Sequence, residues 1–322
     1  MKRLISAWHA SPGPVTLHDY ITLWLKAFLM GIADLIPGVS GGTIAFITGI
    51  YDRLLGAVAS VDKEAITFLL KGQIFKFLSK IHLRFIATVA SGILLAIFSL
   101  ASLMHWLLVN HPIPTWGAFF GLITASIPVL YKSLPDPKAI LTWFWILIGT
   151  LFGYVVVSLI PVDTPSSSWF IYLCGVIGIT AMILPGISGS FLLLILGKYE
   201  FITGAVKAPF VEGNLQILII FACGTATGLL GFSKILKWCL DNYKNSTMAF
   251  LTGILAGTLK KVWPWKETLE SIVIRDKVRI LREANIFPSS FGSEEILAVV
   301  LAIIGFGLVL FLESRSKTKA IA

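Results

Sequence analysis

Two short stretches combine helix-breaking residues with hydroxyl side chains inside otherwise apolar runs. They read PGVSGGT at residues 37–43 and PGISGS at residues 185–190. A helix that begins after such a break presents unpaired amides and the positive end of its dipole, while glycine lets a ligand approach the backbone closely. These groups predict the binding of an anion such as a phosphate or a carboxylate. The expected substrate-binding residues are Gly38, Ser40, Gly41, Gly42, Thr43, Gly186, Ser188, Gly189 and Ser190.

The two breaks belong to an internal repeat of the chain. The matching positions around them are Pro37 with Pro185, Ser40 with Ser188, Gly49 with Gly197, Tyr51 with Tyr199, Asp52 with Glu200, and Gly56 with Gly204. A broken helix inside a bilayer is costly unless its freed backbone groups face a cavity or a ligand, and paired breaks typically mark a transport site. The alternative is that small residues only allow close helix packing, which we favour for the Gly-x-x-x-small motifs at 121–125 and 253–257.

Asp34 lies one turn before the first break, and Met182 occupies the corresponding place in the second half. An ionisable residue at membrane depth is a functional hypothesis by default, so we expect Asp34 to bind the substrate or to carry a coupling proton. The alternatives are an ion pair with Arg53 or Lys26, and simple capping of the freed amides.

A tyrosine followed by charged residues comes shortly after each break. The first copy has Tyr51, Asp52 and Arg53, and the second has Tyr199 and Glu200. We expect Arg53 to contact an anionic substrate. The tyrosines and carboxylates are candidates for coupling or gating, and anchoring at the membrane interface is an equally good explanation for them.

Composition is typical of a polytopic membrane protein. Of the 322 residues, 56% are hydrophobic and 13% are charged, and the mean hydropathy is +0.87. Apolar runs near the roughly 20 residues needed to span a bilayer recur along the chain. The net charge of +9 does not indicate nucleic acid, because the basic residues cluster in short connections between spans, where they also favour anionic lipid. The predicted environment is a membrane.

We predict an all-α fold built from two membrane repeats, residues 1–165 and 166–322. Each repeat contains a re-entrant or broken helical hairpin and three transmembrane helices. The segments of the first repeat are a hairpin at 17–58, an interfacial helix at 62–80 and spans at 84–109, 115–133 and 139–160. Those of the second are a hairpin at 168–206, spans at 215–240, 246–262 and 294–313, and a basic external segment at 260–293.

Counting the crossings predicts an inverted repeat. If each hairpin enters and leaves on one side, a repeat crosses an odd number of times, and the second copy is inserted upside down about an axis in the membrane plane. Most lysines and arginines lie on the cytoplasmic side if both termini are inside, which predicts an N-in/C-in topology. The exception is the external stretch at 260–282, which is either an amphipathic element that gathers anionic head groups or a solvated loop.

No catalytic constellation is evident. The five histidines are scattered, no set of carboxylates and histidines has metal-ligand spacing, and neither a Walker loop nor a nucleophile elbow occurs. The three cysteines are best explained as unpaired small hydrophobic residues. We therefore predict no enzymatic activity, no metal and no other cofactor.

Residues 31–54 resemble the signature of a bacterial and archaeal membrane family, the PopT-type undecaprenyl phosphate translocases, formerly catalogued as a domain of unknown function. The matching letters are GIADLIPGVSGGT at 31–43 and GIYDRL at 49–54, and the second signature is LPGISGS at 184–190 with GKY at 197–199. The resemblance covers most of the chain.

The resemblance implies a flippase in the bacterial inner membrane. Its substrate would be undecaprenyl phosphate released on the outer face during cell-envelope synthesis, including peptidoglycan, and returned to the cytoplasmic leaflet for reuse. The rival hypothesis is a secondary transporter of a small anion or another solute that uses the same helix ends, and a binding-only role is a third. A lateral, lipid-facing opening with an apolar groove beside the break would favour the first, and an enclosed aqueous pocket would favour the second. No oligomeric state is indicated.

Overall fold

The structure is a computed structural model. It describes residues 6, 8–35, 40–162, 164–274 and 277–321, without the side chains at 271–282, 312 and 315–321. Helices dominate, as predicted. Those of the first half are α1 (Leu17–Asp34), α2 (Gly41–Ile47), α3 (Tyr51–Ala59), α4 (Lys63–Leu70), α5 (Ile74–Lys80), α6 (Leu83–Asn110), α7 (Pro112–Lys132) and α8 (Ile140–Ser158).

The second half repeats this order of elements, except that α4 and α5 have no counterparts there. Its helices are α9 (Ser168–Ile183), α10 (Gly189–Ile195), α11 (Tyr199–Lys207), α12 (Asn214–Asn242), α13 (Lys244–Val262) and α14 (Ser293–Ile321). Both halves therefore contain a helix, a break, a bent pair of short helices and three long helices. The pairs α2/α3 and α10/α11 bend by 118° and 113°. The two broken hairpins predicted from the sequence are thus confirmed.

Five helices in the described part of the chain are long and apolar enough to cross a membrane, or up to seven if each bent pair counts as one span. The five are α6, α7, α8, α12 and Ser293–Phe311 of α14. The chain is a multi-pass membrane protein. Helix α13 is less apolar, and it packs against both α7 and α8. Because Leu251, Ile254 and Leu255 are fully buried among protein neighbours, this helix presents less surface to lipid than its companions.

Local signals explain several helix boundaries. Thr16 and Asp19 form a reciprocal capping box at the start of α1, and Asp62 caps α4 by accepting a hydrogen bond from the amide of Ala65. The predicted single interfacial helix over 62–80 is two helices in the structure. Gly72, with φ +69°, ends α4 in a left-handed turn that a regular helix does not contain.

The chain forms two compact units, each with segments from both sequence halves. Unit 1 comprises Met1–Ala101, Pro165–Leu193 and Lys198–Tyr243, and unit 2 comprises Ser102–Thr164, Leu194–Gly197 and Lys244–Ala322. The predicted boundary at 165/166 and the inverted orientation of the repeats stay predictions.

Glycines set the helix packing inside each unit. In unit 1, a Cβ atom at Gly224 of α12 would lie 2.0 Å from the carbonyl oxygen of Tyr172 on α9. In unit 2, a Cβ atom at Gly121 of α7 would lie 2.0 Å from the carbonyl oxygen of Ala302 on α14, and one at Gly253 of α13 would meet Ile146 of α8 at 2.2 Å. The Gly-x-x-x-small motifs thus lie at helix contacts, as their packing interpretation requires.

The predicted basic external segment contains an antiparallel ribbon, β1 (Lys266–Ile274) and β2 (Lys277–Asn285). The segment is therefore not a plain loop, and its role as an amphipathic element that gathers anionic head groups stays a prediction. Trp263 donates a hydrogen bond from Nε1 to the carbonyl oxygen of Ile286 at 2.9 Å, and its ring contacts Phe120 and Phe287 edge-on. These aromatic contacts fix the base of a two-stranded ribbon that would be marginal alone.

Candidate functional site

The first break separates α1 from the short helix α2. Helix α1 ends at Asp34, and residues 36–39, which include the predicted site residue Gly38, lie outside the described residues. Ser40 then caps α2: its backbone is extended, and its hydroxyl accepts a hydrogen bond from the amide of Gly42 at 3.1 Å. Ser40 is buried. The predicted hydroxyl is therefore at the helix start, although it already has a partner there.

Helix α1 holds both ends of α2. The carboxylate of Asp34 accepts a hydrogen bond from the amide of Gly41 at 2.6 Å, and the ammonium of Lys26 donates one to the carbonyl oxygen of Thr48 at 2.7 Å. Helix α2 consequently runs back along α1, as in a helical hairpin. Of the alternatives for Asp34, the structure shows capping. Among the residues it describes, Asp34 forms no ion pair with Lys26 or Arg53.

The second break lies between α9 and α10. Gly186 has φ +87°, a left-handed conformation that favours glycine, and Ser188 is buried beside it. The hydroxyls of Ser188 and Ser190 bond to each other at 2.8 Å. A Cβ atom at Gly189 would lie 2.4 Å from the carbonyl oxygen of Gly178, so α10 begins in direct contact with α9.

Three side chains of the first copy bind backbone groups of the second break. Thr43 accepts a hydrogen bond at its hydroxyl from the amide of Gly186 at 2.7 Å. Ser40 donates to the carbonyl oxygen of Met182 at 3.1 Å, and the hydroxyl of Tyr51 donates to that of Ile183 at 2.8 Å. The structure thus brings the two predicted breaks together within unit 1 and satisfies freed backbone groups of the second with side chains of the first.

Gly42 permits this close approach. A Cβ atom at Gly42 would lie 2.8 Å from the carbonyl oxygen of Met182, so any larger residue would push the two breaks apart. A Cβ atom at Gly41 would lie 2.6 Å from the Asp34 carboxylate, so a side chain there would displace that carboxylate from its hydrogen bond with the Gly41 amide. Of the two glycines, Gly42 is the one that the contact between the breaks requires.

Other predicted residues are not part of this contact. Asp52, Arg53 and Glu200 are exposed, and Tyr199 is 38% exposed although its counterpart Tyr51 is buried. The guanidinium of Arg53 stacks over the ring of Phe85 at 5.0 Å. The two copies are therefore unequal, with the polar contacts supplied mainly by the first.

Two lysines beside the hairpin bends were not among the predicted site residues. Lys26 holds the end of α2, and Lys198 is buried at the second bend, where its ammonium donates to the hydroxyl of Ser166 at 3.2 Å. The sequence could have indicated both residues as site candidates, because a lysine within or beside an apolar membrane segment needs a polar partner.

Two cavities lie along α1. One, of about 340 Å³, is lined in part by His18, Lys26 and Arg53. The other, of about 430 Å³, is mostly apolar and lies between Ile21, Trp24 and Leu25 of α1 and Thr88 and Ser91 of α6. Ile21 and Leu25 are each 51% exposed, so this cavity of about 430 Å³ is an apolar groove at the protein surface.

Metal coordination receives no support from the geometry. No group of three or more histidine, cysteine, aspartate or glutamate side chains within the described ranges is arranged to hold a metal ion. The polar groups at the breaks are hydroxyls, backbone amides and one carboxylate. Such a set suits the recognition of an anion or the transfer of a proton.

The fold and the paired breaks define a multi-pass membrane protein with polar groups gathered at two interrupted hairpins. The chain belongs to the VCA0040-like, undecaprenyl phosphate translocase-like family, whose model matches residues 30–278. This is a family of transporters rather than enzymes.

Two relatives extend the match over most of the chain. A polyprenyl-phosphate transporter of Vibrio cholerae is 41% identical over 306 residues, covering 93% of this chain and 98% of that protein. A polyprenyl-phosphate transporter of Staphylococcus aureus is 34% identical over 255 residues, covering 74% of this chain and 85% of that protein. No solved structure matches the chain significantly.

Proposed function

We propose that this protein is a flippase that returns undecaprenyl phosphate from the outer to the cytoplasmic leaflet of the bacterial inner membrane. The observation that carries the proposal is the 41% identity to a polyprenyl-phosphate transporter over 98% of its length. The N-in/C-in topology belongs to the same proposal, and it is supported by the distribution of lysine and arginine along the sequence.

The phosphate group binds, in this proposal, at the two Pro-Gly-x-Ser-Gly breaks. A bare phosphate in hydrocarbon would cost on the order of tens of kcal/mol, so donors must replace its hydration. The candidate donors are the hydroxyls of Ser40, Thr43, Ser188 and Ser190 and the amides of Gly41, Gly42, Gly186 and Gly189, with Gly38 added from the sequence pattern. Their support is the hydrogen-bonded contact between the two breaks.

The carboxylate of Asp34 occupies the amide of Gly41 in this conformation. Two anions repel each other at short range, so phosphate binding requires that Asp34 move away or take up a proton. We infer that Asp34 couples transport to protons in this way. A gating role for Tyr51 belongs to the same proposal, and its support is the hydrogen bond from its hydroxyl to the carbonyl oxygen of Ile183. Gating or coupling roles for Asp52, Tyr199 and Glu200 stay predictions.

A lipid fits the observed surface better than a small solute does. The groove between α1 and α6 is apolar and open to the surroundings, which suits a prenyl chain that stays in the bilayer while its head group crosses. The small-anion hypothesis predicts an enclosed aqueous pocket instead. The groove lies along Tyr20–Leu25 and not beside the break, where the sequence predicts it, so its support for a lipid comes from its apolar and open walls alone.

The deciding experiment uses proteoliposomes loaded with radiolabelled undecaprenyl phosphate. An external phosphatase converts only the outer-leaflet undecaprenyl phosphate to undecaprenol. A flippase should therefore make nearly the whole lipid pool accessible to this conversion, while conversion in protein-free vesicles should stop near half. Radiolabelled inorganic phosphate and sulfate trapped in the same vesicles report leakage of small anions. Anion flux without lipid conversion would overturn the proposal in favour of a small-anion transporter. Runs with and without a pH gradient test proton coupling.

A further inference from the structure

The cavity of about 340 Å³ beside α1 is separate from the paired breaks and has a different character from the apolar groove. It lies between the chain before α1, one face of α1 and the start of α3. Three basic side chains line it, His18, Lys26 and Arg53, against a single carboxylate, Asp19. That carboxylate accepts a hydrogen bond from the amide of Thr16 in the capping box, so its charge is partly satisfied at the helix start.

Lys26 and Arg53 retain donors for a ligand. The ammonium of Lys26 has three N–H donors, and the carbonyl oxygen of Thr48 uses one of them. The guanidinium of Arg53 donates no hydrogen bond to any residue in the described part of the chain, and its plane stacks on Phe85. A stacked guanidinium with an open fork beside a lysine is an arrangement that recognises phosphate oxygens.

The cavity follows the axis of α1 toward the first break. Lys26 lies ten residues after the cap Thr16, about 15 Å along the axis of α1, and Asp34 lies about 12 Å farther on. The cavity therefore extends from the beginning of α1 to the bend between α2 and α3, where Ile50 also lines it. The cavity ends at this bend, so the length of α2 separates it from the first break.

We propose that this cavity is a second anion site. It binds a phosphomonoester group at an intermediate position between the membrane surface and the paired breaks. The proposal rests on the proposed function, and it names the chemistry that a lipid head group and free inorganic phosphate share. Because Lys26 also holds the end of α2, a phosphate bound there contacts the same residue that positions the first break.

Protection of an introduced cysteine tests the location of the site. Cys174, Cys223 and Cys239 are first replaced by alanine in the full-length protein, and Thr22→Cys then places one thiol in the cavity wall. Ile21→Cys, the neighbouring position in the apolar groove, is the matched control. The rate of labelling by a charged thiol reagent is measured in nanodiscs with inorganic phosphate, farnesyl phosphate or farnesol.

We expect both phosphates to slow labelling at Thr22→Cys and farnesol to leave it unchanged, while inorganic phosphate has no effect at Ile21→Cys. Protection by farnesyl phosphate at much lower concentrations than inorganic phosphate identifies a lipid head group as the ligand, and equal potency identifies free phosphate. Absence of protection by either phosphate, or equal protection by farnesol, overturns the proposal.

Substitution of the basic residues tests the chemistry. Arg53→Gln should raise the half-protecting phosphate concentration about tenfold or more, the loss of one charge-assisted interaction, and Arg53→Lys should recover part of it. Lys26→Arg keeps the charge and the contact with Thr48, so it should bind phosphate when Lys26→Gln does not.

Lipid conversion by the wild type separates the two proposals. Conversion without cysteine protection rejects this site alone, and protection without conversion rejects the flippase proposal alone.

Discussion

Lys26 and Asp34 lie eight residues apart on α1 and bind opposite ends of the same seven-residue helix α2. A helix this short is not stable alone, because nucleation costs more than a few hydrogen bonds return. The carboxylate lies at the amide end and the ammonium at the carbonyl end, which matches the helix dipole. The position of α2, and with it the position of Ser40 and Thr43, therefore depends on two charged side chains of the preceding helix.

Substitution of Asp34 should separate structure from coupling. Asp34→Ala leaves the amide of Gly41 without an acceptor, which should cost about 1–3 kcal/mol and lower the melting temperature in detergent. Asp34→Asn keeps an acceptor oxygen and should melt near the wild type. If Asp34 carries the coupling proton, Asp34→Asn should still exchange undecaprenyl phosphate between leaflets without acceleration by a pH gradient.

The exposed Glu212 provides the control, because Glu212→Gln removes one carboxylate charge at a position outside the breaks and outside the predicted coupling residues. An unchanged response of Asp34→Asn to the pH gradient would assign Asp34 to capping alone.

Removal of the hydroxyl of Thr43 should weaken the contact between the two breaks. Valine has the same shape, so Thr43→Val fills the fully buried position while leaving the amide of Gly186 unpaired. We expect a loss of about 1–3 kcal/mol of stability and slower lipid conversion, with both restored by Thr43→Ser. Thr252→Val is the matched control. Thr252 is equally buried, but its hydroxyl donates only to Met248 in its own helix.

The helical architecture follows from simple signals in the sequence. Long apolar runs predict membrane helices, and paired Pro-Gly phrases predict interrupted ones. The hydrogen-bond partners at the breaks were not predictable, because they depend on how the two repeats meet. Sequence spacing shows that Thr43 and Gly186 both lie at breaks, but it does not show that they bind each other.

The span predicted at 246–262 is helix α13 in the structure, and it is less apolar than a lipid-exposed span because α7 and α8 cover it. The β ribbon, in contrast, was missed for a physical reason. The β ribbon at 266–285 has a β-branched run, Ile272–Ile274, but its charged neighbours give the segment the composition of a loop. The aromatic residues at its base, such as Trp263 and Phe287, stabilise it through contacts distant in sequence.

Gly224 should not tolerate a side chain. A Cβ atom there would overlap the carbonyl oxygen of Tyr172 at 2.0 Å, so Gly224→Ala should force α9 and α12 apart and cost about 1–3 kcal/mol. Gly231 lies on the same helix with nothing within 4 Å of its Cβ position. Gly231→Ala should be neutral or slightly stabilising, since alanine favours helix. Thermal unfolding of both variants in one detergent measures the difference, and equal effects would contradict the packing described for unit 1.

The base of the ribbon should show a characteristic dependence on pH. Burial lowers the pKa of Lys266 from 10.5 to about 8, against the opposing effect of Glu283 and with a contribution from Lys261. Between about pH 8 and pH 10.5 the unfolded chain therefore binds more protons at this residue than the folded chain does. Stability from this group consequently rises with pH across that window, by about 1.4 kcal/mol for each unit of pKa difference.

Lys266→Met should remove that rise while keeping an apolar stem beside the ring of Trp116, which the ammonium approaches to 4.2 Å. The measurement is the difference in melting temperature between wild type and variant from pH 7 to pH 10. We expect the wild type to gain on the variant as the pH increases. Lys244→Met, at an exposed position, controls for the loss of one positive charge. A constant difference over the whole range would show that Lys266 titrates at its ordinary pKa, and that the ribbon base does not bury its charge.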